Sequence, residues 1–278
     1  MDKINSIELA YKIRKDAINM VHSAHASHIG GILSCADIVA VLYAYIANYD
    51  IKESQYPFRD RIILSKGHNG VAIYAALAEC GFFPVSELNT YGMNGSKFSC
   101  HVSHKNVPGV EISTGSLGHG IGVACGMALN AKLKNLSYKV YVIIGDGECN
   151  EGSVWEAAML AAQYKLDNFT VIIDANGMQA MGNCCDVINM EPMADKWKAF
   201  KWKVIDVEDG HNHKKLKEAF MEKTNSQPKV IIARTVKGKG VSFMENNLLW
   251  HYRDPQGDLY QQALQELEDT YNAQSFDK

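Results

Sequence analysis

Two runs, "KVYVIIGDG" (residues 139–147) and "FTVIIDANG" (residues 169–177), constrain this chain more than any other feature. Each is a continuous β-branched, apolar stretch without polar alternation, as expected of a strand buried on both faces, and each ends in a glycine-containing turn. Between them, "VWEAAMLAAQY" has a helical pattern. Together they predict a βαβ unit with a right-handed crossover. Residues 61–64 and 229–233 are further strand candidates, again separated by helical patterns. The expected fold is therefore α/β, a parallel sheet with helices on both faces. In such sheets the carboxyl ends of the strands share one edge, where ligands bind.

Around this centre, "SIELAYKIRKDAINMVHSA" spaces Ile7, Tyr11, Ile18 and Val21 as an amphipathic helix. The stretch "SHIGG" is expected to be a turn, with another helix from about Ser34, an alanine-rich helix over 71–80 and a surface helix over "DLYQQALQELEDTYNA". Gly118, Gly122 and Gly126 recur every fourth residue of a helix, where glycine costs about 1 kcal/mol relative to alanine. That spacing fits tight packing within the domain, a subunit interface or an approach to a cofactor.

The 278 residues contain no Pro- or Ser-rich linker and no abrupt change of composition, so a single domain over 1–278 is expected. A net charge of -3 provides no basic field for nucleic acid, and Lys214, Lys215 and Lys217 read as a solvated helix face. Seven cysteines without a CxxC pair, two of them the adjacent Cys184 and Cys185, argue against a disulfide framework and for a reducing cytoplasm. The apolar run 38–47 is bounded by Asp37 and Asn48, too short to span a bilayer, and no signal-peptide pattern precedes it.

Asp146 and Asn176 would both arrive at the ligand edge of the sheet, on adjacent strand ends. A carboxylate and a carboxamide are hard oxygen ligands of the kind Mg²⁺ prefers, with phosphate oxygens completing its shell. Gly145 and Gly147 permit a tight turn and close backbone approach, and the next helix aims its N-terminus at the same place. Either turn alone is only a common turn. Their pairing across a βαβ unit points to a metal-bound diphosphate.

GDG followed by an Asn-containing turn resembles the thiamine diphosphate signature. Five blocks, "HIGGILSCADI", "DRIILSKGH", "PGVEISTGSLGHGIG", "GDGECNEGSVWEAAMLAAQYKLDN" and "RTVKGKGVSFMENNLLWH", resemble in order the N-terminal domain of transketolases. The resemblance implies Asp146, Asn176 and the Met178 carbonyl as ligands of Mg²⁺ (or Ca²⁺ or Mn²⁺). It further implies Gly145, Gly147, Asn176, His68 and His251 against the cofactor, and Gly115, Ser116 and Leu117 beside its aminopyrimidine ring. Glu151 matches a buried glutamate that couples paired sites. His28, His101 and His251 match histidines of the substrate channel, suited to proton transfer near neutral pH. His22, His25, His104, His211 and His213 read as surface or structural residues; His119 stands where the family commonly has glutamine and stays open.

Departures cluster on the substrate side. The family's Gly-His-Pro becomes Ser27-His28-Ile29 and Cys100-His101-Val102, and its glycine after the third histidine becomes Tyr252. Losing both prolines frees fixed backbone angles, so a sugar other than the usual pentose phosphates is expected. No counterpart of the pyrimidine-binding domain is present. The resemblance therefore implies one subunit of a split transketolase, moving a two-carbon ketol unit from a ketose to an aldose. Its partner would supply the missing domain, in a dimer of heterodimers. The alternatives are the thiamine-binding subunit of a 2-oxo acid dehydrogenase or decarboxylase, not expected to carry "SKGH" or "TGSLG", and a non-catalytic scaffold.

Overall fold

A computed structural model of the chain describes residues 4–54 and 56–276. Its elements are α1 (Ser6–Ala24), α2 (Ile29–Val41) running on into a π-helical turn (Leu42–Ile46), β1 (Arg61–Leu64), α3 (Gly70–Glu79), α4 (His119–Leu133), β2 (Val140–Gly145), α5 (Gly152–Gln163), β3 (Phe169–Ala175), α6 (Cys184–Val187), α7 (Met193–Ala199), β4 (Lys203–Val207), α8 (His213–Met221), β5 (Lys229–Arg234) and α9 (Asp258–Phe276).

The five strands form one wholly parallel sheet in the order β1-β2-β3-β5-β4. Pleating sends alternate side chains to opposite faces. Tyr141, Ile143, Ile172 and Ile231 join the core beneath α1, α2, α3 and α8, while Val140, Val142, Ile144, Val171 and Ile173 join the core beneath α4, α5 and α7. That two-sided burial is why β2, β3 and β5 each carry an unbroken apolar run, over residues 140–144, 171–173 and 230–233. Gly145 pairs with Asp174, and Ala175 with Arg234, so the carboxyl ends of β2, β3 and β5 finish level.

Helix α1 is capped by the Asn5 side chain, which accepts from Ile7 N at 2.8 Å, and ends at His25 in the left-handed region. Its buried stripe is Leu9, Ile13, Ala17 and Val21, while Ile7 and Tyr11 flank it half-buried.

Four expectations are corrected. The glycines of "SHIGG" are helical: α2 begins at Ile29, after His28 at φ 74°. A Cβ on Gly31 would lie 2.9 Å from Asn69 Nδ2, so close packing rather than a turn explains that glycine. The apolar run also extends further than 38–47, because residues 29–46 are continuously helical with mean hydropathy 1.9. By length and composition this segment could cross a bilayer, but 83% of it is buried inside the fold. Strand β4 escaped the sequence reading because it is a short edge strand, mostly half-exposed and lacking an apolar run. Finally, a Cβ on Gly122 or Gly126 would meet nothing within 4 Å among the described residues, while Gly118, at φ 78°, packs against Glu151 and Ser153. Tight packing within the domain therefore explains only the first of the three.

Candidate functional site

The ends of β1, β2, β3 and β5 and the N-terminus of α2 border one cleft of about 490 Å³. Its walls include His28, His68, His101, Gly115, Leu117, Gly145, Asp146, Gly147, Glu151, Asn176, Met178 and His251. Ser116 is exposed and not among the lining residues.

Asp146 joins the two turns. Its Oδ1 accepts from Gly147 N at 2.8 Å and its Oδ2 from Gly177 N at 2.6 Å, so the β2 exit is tied to the β3 exit. Burial raises its pKa, against those two N–H bonds. Asn176 Oδ1 accepts from Met178 N at 3.1 Å, and its Nδ2 donates to Ser34 Oγ at 3.2 Å and Asp174 Oδ2 at 3.3 Å. A carboxylate, a carboxamide and the Met178 carbonyl thus gather as oxygen donors on adjacent strand ends. A Cβ on Gly147 would lie 2.7 Å from Gln179 Cγ, so any side chain there would have to displace that of Gln179. Among the described residues, no group of three or more His, Cys, Asp and Glu side chains could hold a metal; a donor set with only one carboxylate is a different kind of site.

Beneath these oxygens lies an ion pair that the sequence reading did not single out. Lys66 donates to Asp174, which also accepts from Ser34 Oγ at 2.6 Å and from Thr235. Burial works against charge on both, but their mutual attraction prevails: the Asp174 pKa is lowered and that of Lys66 raised. Lys237, also unassigned from sequence, lines the cleft and reaches Met178 O at 3.3 Å and His251 Nδ1 at 3.1 Å. Burial, then repulsion from Lys66, lowers its pKa to about 8. The signal for all three was position: each sits in or just beyond a strand end.

Four histidines converge. Ring centroids of His28 lie 5.0 Å from His68, 6.0 Å from His101 and 4.8 Å from His251. His28 N donates to the His251 carbonyl at 2.8 Å, and His28 Nδ1 is buried without a hydrogen-bond partner. Burial, then neighbouring cationic groups, lowers His28 and His251 to about 4 and His68 to about 2. All three are therefore neutral at pH 7. Tyr252 donates to the Ala180 carbonyl at 2.8 Å, linking the segment after His251 to the cleft wall.

The expected burial of Glu151 is not met within this chain. Glu151 is exposed at the N-terminus of α5, and Glu148 is the buried glutamate, accepting from Ser65 Oγ, Gly118 N at 2.8 Å and Gly145 N at 3.2 Å. Outside the cleft, His22 and His25 form hydrogen bonds to the distant Pro255 and Asp254, His104 bonds to Ser113, and His119 is exposed.

The fold and the cleft are those of an α/β domain whose pocket opens at the carboxyl edge of a parallel sheet, where such folds bind their ligands. The sequence matches the family described as "Transketolase, thiamine diphosphate binding domain" over residues 6–258. The chain belongs to this family of enzymes. It is 41% identical over 268 residues to an apulose-4-phosphate transketolase subunit of Phocaeicola vulgatus, a match covering 95% of each chain. It is 39% identical over 258 residues to a 6-deoxy-6-sulfo-D-fructose transketolase subunit of Clostridium sp., covering 92% of this chain and 94% of that one. Against Homo sapiens transketolase, identity is 37% over 264 residues, covering 94% of this chain but 41% of that enzyme. The structure of Campylobacter jejuni transketolase aligns with a TM-score of 0.89 at 29% identity, over 95% of this chain and 43% of that one. The chain thus spans nearly all of the two subunit proteins and less than half of the other two.

Proposed function

We propose that this chain is the N-terminal subunit of a split, thiamine diphosphate-dependent transketolase, transferring a two-carbon ketol unit from a ketose to an aldose. The convergence of the oxygen donors, the two lysines and the neutral histidines in one cleft carries the reading. Asp146, Asn176 and the Met178 carbonyl would hold Mg²⁺, or Ca²⁺ or Mn²⁺ in the same oxygen set, and Gly147 and His68 would contact the diphosphate. When bound, thiamine diphosphate supplies the carbanion equivalent that breaking a ketose carbon–carbon bond requires. The chain's own part is to orient and to move protons. His28, His101 and His251 face the space left for a sugar. With lowered pKa values, His28 and His251 are unprotonated at neutral pH and can accept a hydroxyl proton.

The split form is supported by the near-complete match to a protein named as one subunit of a transketolase, set beside the partial match to the human enzyme. A partner carrying the pyrimidine-binding domain would complete the site, in a dimer of heterodimers that buries Glu151. Ile29, Val102 and Tyr252, beside the channel histidines, favour a sugar other than the usual pentose phosphates. The subunit relatives are named for apulose 4-phosphate and 6-deoxy-6-sulfo-D-fructose, in keeping with that expectation.

The test is reconstitution with the partner chain, followed by a screen of phosphorylated and unphosphorylated ketose donors. The expected result is ketol transfer by the pair and none by this chain alone, with Mg²⁺-dependent cofactor binding lost in Asp146→Ala. Robust transfer by the purified chain, or turnover of 2-oxo acids in place of ketoses, would overturn the reading.

A further inference from the structure

A chain of hydrogen bonds leads from α1 to the wall of the cleft. Arg14 donates to both oxygens of Asp37, through Nη1 at 3.0 Å and Nη2 at 2.5 Å. Asp37 also accepts from His211 Nδ1 at 2.6 Å and His213 Nε2 at 3.0 Å. Burial disfavours charge on this carboxylate, yet Arg14 and the two histidines hold its pKa well below the usual range. The histidines differ in what their other nitrogens meet. His213 Nδ1 pairs with Ser6 Oγ at 2.7 Å, on α1. His211 Nε2 meets Val236 N at 2.8 Å, at the exit of β5.

A backbone N–H can only donate, so His211 Nε2 is unprotonated and the ring's single proton sits on Nδ1, facing Asp37. One tautomer serves both bonds, and the fixed carboxylate sets the ring plane. Val236 lies between Thr235, bonded to the buried Asp174, and Lys237, whose ammonium stands in the cleft against Met178 and His251. A shift of this exit by a fraction of a hydrogen-bond length would move the ammonium with it.

We propose that His211, oriented by Asp37 and Arg14, is a positioning residue that sets the β5 exit and through it places Lys237 in the cofactor cleft. This rests on the reading that the cleft takes thiamine diphosphate. The control is built into the fold, since His213 makes the same kind of bond to Asp37 but does not touch the exit.

Two measurements test it. On the full chain alone, amide hydrogen exchange at Val236 is expected to quicken about tenfold in His211→Ala. In His211→Gln, whose amide can accept from Val236 and donate to Asp37, it should stay within about twofold of the wild type. With the partner chain and Mg²⁺ present, His211→Ala should weaken thiamine diphosphate binding about tenfold, or roughly 1.4 kcal/mol. His211→Gln restores binding, and His213→Ala lowers thermal stability without moving the cofactor Kd. If alanine leaves the chain unfolded, His211→Asn gives the same discrimination, because it can reach Asp37 but is too short for Val236. Unchanged exchange at Val236, or equal loss of cofactor affinity in the His211 and His213 variants, overturns the proposal. If the wild-type pair binds no thiamine diphosphate, the reading of the cleft fails, and Val236 exchange still decides whether His211 holds the exit.

Discussion

His28 and His251 exchange their ordinary pKa near 6.5 for values of about 4, chiefly through burial. Their imidazole C–H resonances should therefore titrate with midpoints near pH 4; midpoints near 6.5 would refute the buried, neutral pair. A group depressed in this way contributes stability that is fully present above pH 6.5 and lost as pH falls through 4, because the unfolded chain binds the extra protons. Asp16 works oppositely in the same window. Burial, then repulsion from Glu79, raises its pKa to about 7, and its Oδ2 is buried without a partner. Its contribution is fully present below 3.8 and lost as pH rises through 7. Asp16→Asn should therefore stabilise the chain by about 1–3 kcal/mol at pH 8 and by almost nothing at pH 4. Urea unfolding at both pH values checks the sign. At this scale the ligand edge was legible wherever function uses distinctive residue types at strand ends: Asp146, Asn176 and His68 stand in turns that the sequence marks. Lys66, Asp174 and Lys237 were not. A lysine and an aspartate 108 positions apart carry no local sign that they will meet in a dry interior.

Glycine shows how far an element can be read from its spacing. A Cβ on Gly67 would lie 2.2 Å from the Thr114 carbonyl oxygen, and one on Gly120 would lie 2.8 Å from Ser65 Cα. Both contacts involve backbone that cannot swing away, so alanine at either position should cost about 2 kcal/mol or more. A Cβ on Gly122 or Gly126 would meet nothing within 4 Å among the described residues. There alanine should instead stabilise the isolated chain by about 1 kcal/mol per site, the ordinary helix-propensity gain. In the assembled enzyme the same methyl groups would weaken association if a second chain packs on this face. Thermal melts of the chain alone, paired with an affinity for the partner, separate the two effects. Periodicity identified a helix here but could not tell packing within the chain from packing against another one. The central strands were legible because two-sided burial demands unbroken apolar runs. Strand β4, on the sheet edge, faces no such demand and left none.

At the scale of the whole molecule, the outer faces of α4 and α5 look incomplete. Val123 and Leu133 on α4, and Met159 and Leu160 on α5, are 43%, 71%, 54% and 45% exposed, with Tyr164 just beyond α5 at 47%. Scattered apolar residues on a surface need no explanation, but these lie on two neighbouring helices, together with the exposed Gly122, Gly126 and Gly152. Glu151, which the family resemblance implied should be buried, stands exposed at the N-terminal end of the same face. The split-enzyme reading would account for both observations through burial by a second polypeptide. The names of the subunit relatives point to a partner chain, and the uncovered surface of α4 and α5 is where the proposed partner would sit. Met159→Glu with Leu160→Glu should leave the folded chain within about 0.5 kcal/mol of wild type, since both side chains are solvent-facing when it is alone. The pair should nevertheless abolish assembly, because two carboxylates would be desolvated at the centre of the contact without partners. Sedimentation of the reconstituted enzyme reads assembly, and ketol transfer reads the shared site; both should fall together. Wild-type assembly by the double variant would place the partner on another face and return the exposure of Glu151 to an ordinary surface residue.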